Sequence, residues 1–241
     1  MVKISCLLLI VIALSASPAF GRPDELLAKF IAETDPARKE QLLRELVRQP
    51  DAGPTLLRVA MSADDVLTRW MSIRGLGMVK YGKAVSFLLD SLTHQHPYVR
   101  ANAARALGEI NDRSASPGLI RLLEHEQEGG VIEQTSWALR MLDAKEAVPG
   151  LKRLATHPSH QTRCWVLQAI GTLGGKKDVP FLAEYLSDAN HVVGMCAAKA
   201  VEEITGQDFG FPKQSGLANL QEGIERARRW WETNKASFLE P

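Results

Sequence analysis

The chain lacks the short motifs by which many enzyme families are recognised. Its 241 residues contain no G-x-S-x-G, H-E-x-x-H or C-x-x-C motif and no glycine loop that would cradle a phosphate. Aromatic residues make up only 6% of the sequence, while leucine and alanine are abundant, as is typical of stacked helices. These absences predict a chain that is not an enzyme, and they predict no cofactor.

An excess of charge of one sign is also missing. The sequence has 29 lysines and arginines against 28 aspartates and glutamates. Loss of a leader that carries Lys3 and no acidic residue would leave the two signs balanced. Proteins that bind nucleic acid usually carry a basic excess because they neutralise phosphates. The charge balance therefore argues against a nucleic-acid partner.

The longest apolar run, Ile4 to Leu14, is too short to cross a bilayer. Lys3 precedes it, and the small residues Ala19 and Gly21 occupy the −3 and −1 positions of a cleavage site before Arg22. We therefore predict that residues 1–21 are a signal peptide and that the mature chain is exported, to a periplasm or to the medium. We expect no membrane span in the mature chain.

A repeat of 31 or 32 residues organises the rest of the sequence. In its clearest copy, residues 98–126, Val99, Ala103 and Leu107 share one face of a helix, and Pro117 begins a second helix. One position of the repeat recurs as Pro54, Ser86, Pro117, Pro149 and Pro180. Another recurs as Arg38, Arg69, Arg100 and Arg163. Two helices per unit at this period predict an α-solenoid.

The repeat resembles the HEAT family, specifically the bacterial HEAT-like repeats of the phycobilisome-lyase type. The V-R-x-x-A-A-x-A-L-G run at 99–108 and the P-x-L-x-x-L-L run at 117–123 carry the resemblance. It implies an all-α solenoid of about six helical hairpins, and members of this family are mostly scaffolds. We predict the solenoid over 22–206, followed over 207–241 by a loop and a C-terminal capping helix.

The second helix of each repeat is expected to line a concave face. The residues predicted to point outward there and to bind a partner are Met71, Arg74, Arg105, Trp137, Arg140 and Trp165. Tryptophan and arginine dominate interface hot spots, so a protein or peptide partner with acidic groups would suit this face. The alternative is that both tryptophans pack between repeats, as large apolar side chains usually do.

All six histidines lie at the turns between the two helices of a repeat. Equivalent turns of adjacent repeats would lie roughly 10 Å apart, so histidines on one edge could share zinc or copper. The histidines of this alternative metal site are His94, His96, His125 and His157. The favoured interpretation is that they replace the short polar residues common before a helix start, with no metal.

Cys164 and Cys196 are the two cysteines outside the predicted signal peptide, and they are 32 residues apart. An exported chain meets an oxidising compartment, where disulfides form. A disulfide needs Cα atoms within roughly 7 Å, and aligned helices of adjacent repeats are expected to hold these residues slightly farther apart. Between a disulfide and two buried thiols, the sequence favours the thiols.

These observations predict an exported, non-enzymatic scaffold or adaptor that binds a protein partner through its concave face. The alternative is a metal-binding or cofactor-handling HEAT-repeat protein, lyase-like or hydroxylase-like, that uses the histidines of the turns. Bilin attachment is suggested by the family resemblance. However, the sequence matches no catalytic residue pattern for it, and the predicted export counts against it.

Overall fold

A computed structural model describes residues 23–211 and 217–239. The described residues are helical or lie in turns, and none of them forms a strand. The predicted signal peptide, residues 1–21, lies outside these ranges. None of the described helices is both long and apolar enough to cross a lipid bilayer.

Fourteen helices follow one another along the described residues. They are α1 Pro23–Ala32, α2 Pro36–Leu46, α3 Ala52–Ser62, α4 Val66–Met78, α5 Val85–Ser91, α6 Pro97–Ile110, α7 Ser116–His125, α8 Gly129–Met141, α9 Val148–Leu154, α10 His160–Leu173, α11 Val179–Glu184, α12 His191–Thr205, α13 Leu217–Asn234 and α14 Ala236–Leu239. The first twelve form six successive hairpins. The predicted all-α solenoid of helical hairpins is therefore confirmed.

Short polar residues and proline set the starts and ends of the helices. Asp65 caps α4 by accepting a hydrogen bond from the backbone N–H of Thr68 at 2.7 Å. Pro97 begins α6, where its missing N–H costs nothing. Asn111 ends the same helix with a positive φ of 62°, a conformation that asparagine tolerates better than most residues.

The recurring arginine holds the turn that precedes its own helix. Arg69 donates to the carbonyl oxygen of Ala63 at 2.6 Å, and Arg100 donates to that of His94 at 2.9 Å. Arg163 makes the same type of contact from α10, with two carbonyls of the preceding turn at 3.0 Å. A planar guanidinium can satisfy several turn carbonyls at once, which explains why arginine recurs at this position.

The first hairpin uses a buried lysine for this purpose. Arg38, which shares the sequence register of the other arginines, is exposed, whereas its neighbour Lys39 is only 1% exposed. The Lys39 ammonium donates to the carbonyl oxygens of Ile31 at 3.2 Å and Glu33 at 2.7 Å, and to Thr68 Oγ1 at 2.6 Å. Burial lowers the pKa of Lys39 below its ordinary value because it disfavours the charged form.

The chain forms two compact units, one ending at Gly118 and the other beginning at Leu119. In the first unit α4 packs on α3 and α6, and in the second α10 packs on α8, α9 and α12. Glycines allow these helices to approach closely. A Cβ on Gly77 would lie 2.8 Å from Ala106 Cα, and one on Gly171 would lie 2.7 Å from Ala200 Cα.

Helix α13 packs on α12 at the end of the second unit. Ile224 and Ala227 on its inner face are 2% and 0% exposed. The Arg228 guanidinium donates twice to the carbonyl oxygen of Leu186, at 3.0 and 2.8 Å. These contacts agree with the predicted role of α13 as a cap on the last hairpin, because a terminal repeat must cover its open apolar edge.

Candidate functional site

Two half-buried tryptophans lie on adjacent helices of the second unit. Trp137 and Arg140 are three residues apart on α8 and share one of its faces, and Trp165 and Thr172 are seven apart on α10 and share a face there. Arg140 Nε donates to Thr172 Oγ1 at 3.0 Å, so the two faces adjoin. We refer to Trp137, Arg140, Trp165 and Thr172 as the α8–α10 face.

Hydrogen bonds about one helical turn before each tryptophan in the sequence fix the spacing of α8 and α10. Glu133 of α8 accepts hydrogen bonds from Gln161 Nε2 and from Thr162 Oγ1, both at 2.9 Å. Thr162 is fully buried, so its hydroxyl is satisfied inside the unit by this carboxylate. The α8–α10 face is therefore held in position by hydrogen bonds at both ends, which favours its use as a rigid binding surface.

A disulfide joins Cys164 of α10 to Cys196 of α12 beside this face, with Cα atoms 5.4 Å apart. The sequence favoured two separate thiols, and the structure differs because Gly171 and Ala200 let these helices approach more closely than assumed. The Gln168 amide lies 3.6 Å from Cys196 Sγ. Cys164 is 8% exposed and Cys196 is 1% exposed, so the bond is buried.

Two of the predicted arginines lie in the first unit, each beside a carboxylate. Arg74 Nη1 is 2.9 Å from Glu40 Oε2, and Arg105 Nε is 2.9 Å from Glu109 Oε1. Arg74 is partly exposed and Arg105 is exposed. Both guanidinium groups thus reach the surface as predicted, but an internal carboxylate already neutralises part of their charge. Their role in partner binding stays a prediction.

The prediction that Met71 points outward is wrong, because its side chain is only 2% exposed. It lies next to Ser72 and Ile73, which are also buried, and a flexible apolar side chain fills core space well. The surface of this unit instead carries Trp70 and Tyr98, with ring centroids 6.1 Å apart. This pair was not predicted from the sequence, although Trp70 lies four residues before Arg74, the spacing of one helical face.

His94 and His157 accept hydrogen bonds from backbone N–H groups of their own turns. His94 Nδ1 accepts the backbone N–H of His96 at 3.0 Å, and His157 Nδ1 accepts that of Ser159 at 3.1 Å. Burial lowers the pKa of His94 and so favours its neutral form. His125 is exposed. Within 23–211 and 217–239, no three histidine, cysteine or acidic side chains are grouped closely enough to hold a metal ion.

The sequence of the hairpins matches a known family model. The model described as HEAT repeats matches residues 53–140 and 85–163. Residues 53–163 therefore contain HEAT repeats. These repeats are similar to the phycobilisome-lyase type, as the run at 99–108 predicts.

Two curated relatives of this HEAT-repeat chain are named for bilin chemistry. The chain is 30% identical over 178 residues to phycocyanobilin lyase subunit alpha of Nostoc sp., a match that covers 65% of the chain and 64% of the relative. It is 26% identical over 166 residues to bilin biosynthesis protein PecE of Mastigocladus laminosus, with 66% and 62% covered. The chain therefore spans less than two thirds of the length of these relatives.

A solved structure shows the same fold. The chain matches a structure of the complex of CpcE and CpcF of phycocyanin lyase from Nostoc sp. PCC7120 with a TM-score of 0.55 and 18% identity. The match covers 89% of the chain and 96% of the matched chain. The prediction of a non-enzyme is contradicted, because one curated relative is named as a lyase subunit and the other as a bilin biosynthesis protein.

Proposed function

We propose that this HEAT-repeat protein is a lyase-like subunit that handles a bilin, an open-chain tetrapyrrole, together with a second protein. The observation that carries the proposal is the 30% identity to phycocyanobilin lyase subunit alpha over 178 residues. Because the sequence contains none of the short catalytic motifs considered above, we propose that the chain acts by holding the bilin and presenting it to an acceptor. Holding two reactants in a productive orientation is itself a source of rate acceleration.

The α8–α10 face is the proposed contact for the second protein. Trp137 and Trp165 are half-buried, so each has a fixed body and an exposed edge, which is the usual form of an interface anchor. The matched phycocyanin lyase structure is a complex of two proteins, CpcE and CpcF. A partner with an acidic group near its own apolar anchor would complement Arg140.

The test is a titration of the purified chain with phycocyanobilin, followed by visible absorption. A bilin held in a protein site is stiffened and desolvated, so we expect a saturable spectral change. A second arm adds apophycocyanin with a free acceptor cysteine and measures covalent chromophore by denaturing gel fluorescence. Acceleration of correct attachment by the chain, alone or with CpcF of Nostoc, supports the proposal. An unchanged spectrum across the titration overturns it.

We also propose that the chain is exported, which places the proposed handling of the bilin outside the cytoplasm. The support is the predicted signal peptide at residues 1–21, together with the disulfide between Cys164 and Cys196, since structural disulfides persist mainly in oxidising compartments. Fractionation of the producing cell, followed by N-terminal sequencing of the protein, tests it. A mature N-terminus at Arg22 in an exported fraction supports export, and full-length protein confined to the cytoplasm overturns it.

A further inference from the structure

The second unit has a cavity of about 810 Å³ at the turns that connect its repeats. One side is the turn before α9 with the start of that helix, and the other is the end of α10 with the turn that follows. The residues that matter for its chemistry are Lys145, Val148, Pro149, Leu173, Gly175 and Lys177. Its volume is within the range of roughly 300–1,000 Å³ typical of small-molecule sites.

The walls of this cavity are apolar and its rim is basic. Val148, Pro149 and Leu173 provide the walls, and Val148 and Leu173 belong to the core of the unit. Lys145 and Lys177 are both exposed at the rim, and neither forms an ion pair with another described residue. The arrangement fits a ligand with an apolar body and anionic ends.

An acid that also lines the cavity is already neutralised. Asp178 is 2% exposed, and its Oδ1 lies 2.7 Å from Lys152 Nζ. Its Oδ2 accepts the backbone N–H of Gly175 at 2.9 Å. Because both oxygens have partners, Asp178 opposes an anionic ligand only weakly. Glu146, exposed at the rim, is the remaining acid among the lining residues, so the two rim lysines leave an excess of positive charge.

Gly175 lines the cavity and has no side chain. A Cβ at this position would meet no atom within 4 Å, so a larger side chain would enter open space. The backbone there is extended, with φ −150°, which any residue adopts. Neighbouring Gly174 differs, because its Cβ would lie 2.6 Å from the carbonyl oxygen of Ile170. Gly175 is thus a lining position at which a larger side chain can be introduced without strain.

We propose that this cavity binds the ligand of the proposed function, as a molecule with an apolar conjugated body and two carboxylates. The inference rests on that function, and bilins with propionate side chains are of this class. Lys145 and Lys177 each pair with one carboxylate through a charge-assisted hydrogen bond, while Val148, Pro149 and Leu173 contact the body. The ligand is thereby held at the turns between repeats, away from the tryptophans of the α8–α10 face.

The experiment measures phycocyanobilin binding to the full chain by visible absorption, with matched variants. Lys145→Ala and Lys177→Ala are each expected to raise the Kd by about five- to tenfold, the usual loss for one charged hydrogen bond at an exposed rim. Lys176→Ala is the control, because Lys176 is exposed on the same turn but does not line the cavity. Gly175→Leu is expected to abolish binding while thermal unfolding stays unchanged.

A second ligand distinguishes the contribution of the carboxylates to binding from the contribution of the ligand's shape. Phycocyanobilin dimethyl ester has the same body without carboxylates, so the two lysine variants should bind it as the unaltered chain does, and Gly175→Leu should still exclude it. Equal phycocyanobilin affinity in all variants would overturn the cavity as the site and leave the proposed function standing. Failure of the unaltered chain to bind phycocyanobilin would overturn both.

Discussion

Cys164 of α10 and Cys196 of α12 are joined across two successive hairpins, with their Cα atoms 5.4 Å apart. The bond closes a loop that contains the second helix of one repeat, the first helix of the next and the turns around them. It thus links equivalent helices of adjacent repeats. These are the helices whose close packing depends on Gly171 and Ala200.

Replacement of both cysteines by serine should lower the free energy of unfolding by roughly 2–4 kcal/mol. A cross-link of this loop length restricts the unfolded chain, and its removal restores that freedom. Urea unfolding with and without a reductant measures the effect. The unaltered chain should lose stability on reduction, whereas the serine variant should not respond. Equal sensitivity of both proteins to the reductant would contradict the prediction.

Substitution of Gly171 by alanine should destabilise the second unit by about 1–3 kcal/mol. The added Cβ would lie 2.7 Å from the backbone Cα of Ala200, and neither helix can retreat without loss of its other contacts. Gly150→Ala is the matched control on α9, since a Cβ there meets only the end of Arg153, at 3.6 Å.

In the control, stability should stay the same or rise slightly, because alanine favours helix over glycine. Thermal unfolding of both variants measures the difference. A loss of similar size at Gly150 would show that helix propensity, rather than contact with Ala200, sets the effect at Gly171.

The buried ammonium of Lys39 should make the stability of the first unit depend on alkaline pH. Desolvation lowers its pKa in the folded chain, against smaller opposing effects of Asp65 and Glu33, while the unfolded chain keeps the ordinary value of 10.5. Between the two values the unfolded state binds more protons, so the contribution of Lys39 to the free energy of unfolding increases as pH rises.

Urea unfolding of the unaltered chain and of Lys39→Met, from neutral pH toward 10.5, measures this contribution. The stability of the unaltered chain relative to the variant should increase over the upper part of that interval. Arg38→Met is the control, because Arg38 is the exposed cation beside Lys39 on the same helix. A relative stability that falls with rising pH would contradict the assignment.

The double variant Trp137→Ala/Trp165→Ala should lose the protein partner and keep the fold. Removal of two anchors typically weakens an interface by several kcal/mol, enough to reduce recovery in a pull-down by more than about a hundredfold. Met141→Ala is the control, because Met141 is a 44% exposed apolar residue at the end of the same helix α8. A partner protein, recovered with the control but not with the double variant, is the expected result.

The sequence predicted the hairpins well because their signals are local. Helical spacing, the prolines at helix starts and the recurring arginine each act within one repeat, and Arg163 does bind carbonyls of the turn before its own helix. Side-chain exposure was harder to predict. Met71 and Trp137 share a register position, yet only Met71 is buried, because the outcome depends on neighbours that the repeat pattern does not specify.

The sequence disfavoured the disulfide and did not predict the cavity, for a related reason. Whether two cysteines bridge depends on about 1 Å of helix separation, which is set here by the contact of Gly171 with Ala200. The cavity borders the turn that contains Gly174 and Gly175. However, two adjacent glycines in the sequence do not indicate that their turn borders a cavity or that Lys177 reaches the rim of that cavity.

The hydrogen bonds that link successive hairpins span short stretches of chain. Thr162 binds Glu133 across 29 residues, and Arg140 binds Thr172 across 32. Low contact order of this kind favours rapid folding, because little loop entropy is lost before a contact forms. Each hairpin is therefore stabilised by its contacts with the adjacent hairpin. Folding can begin at any pair of repeats and propagate from there along the polypeptide.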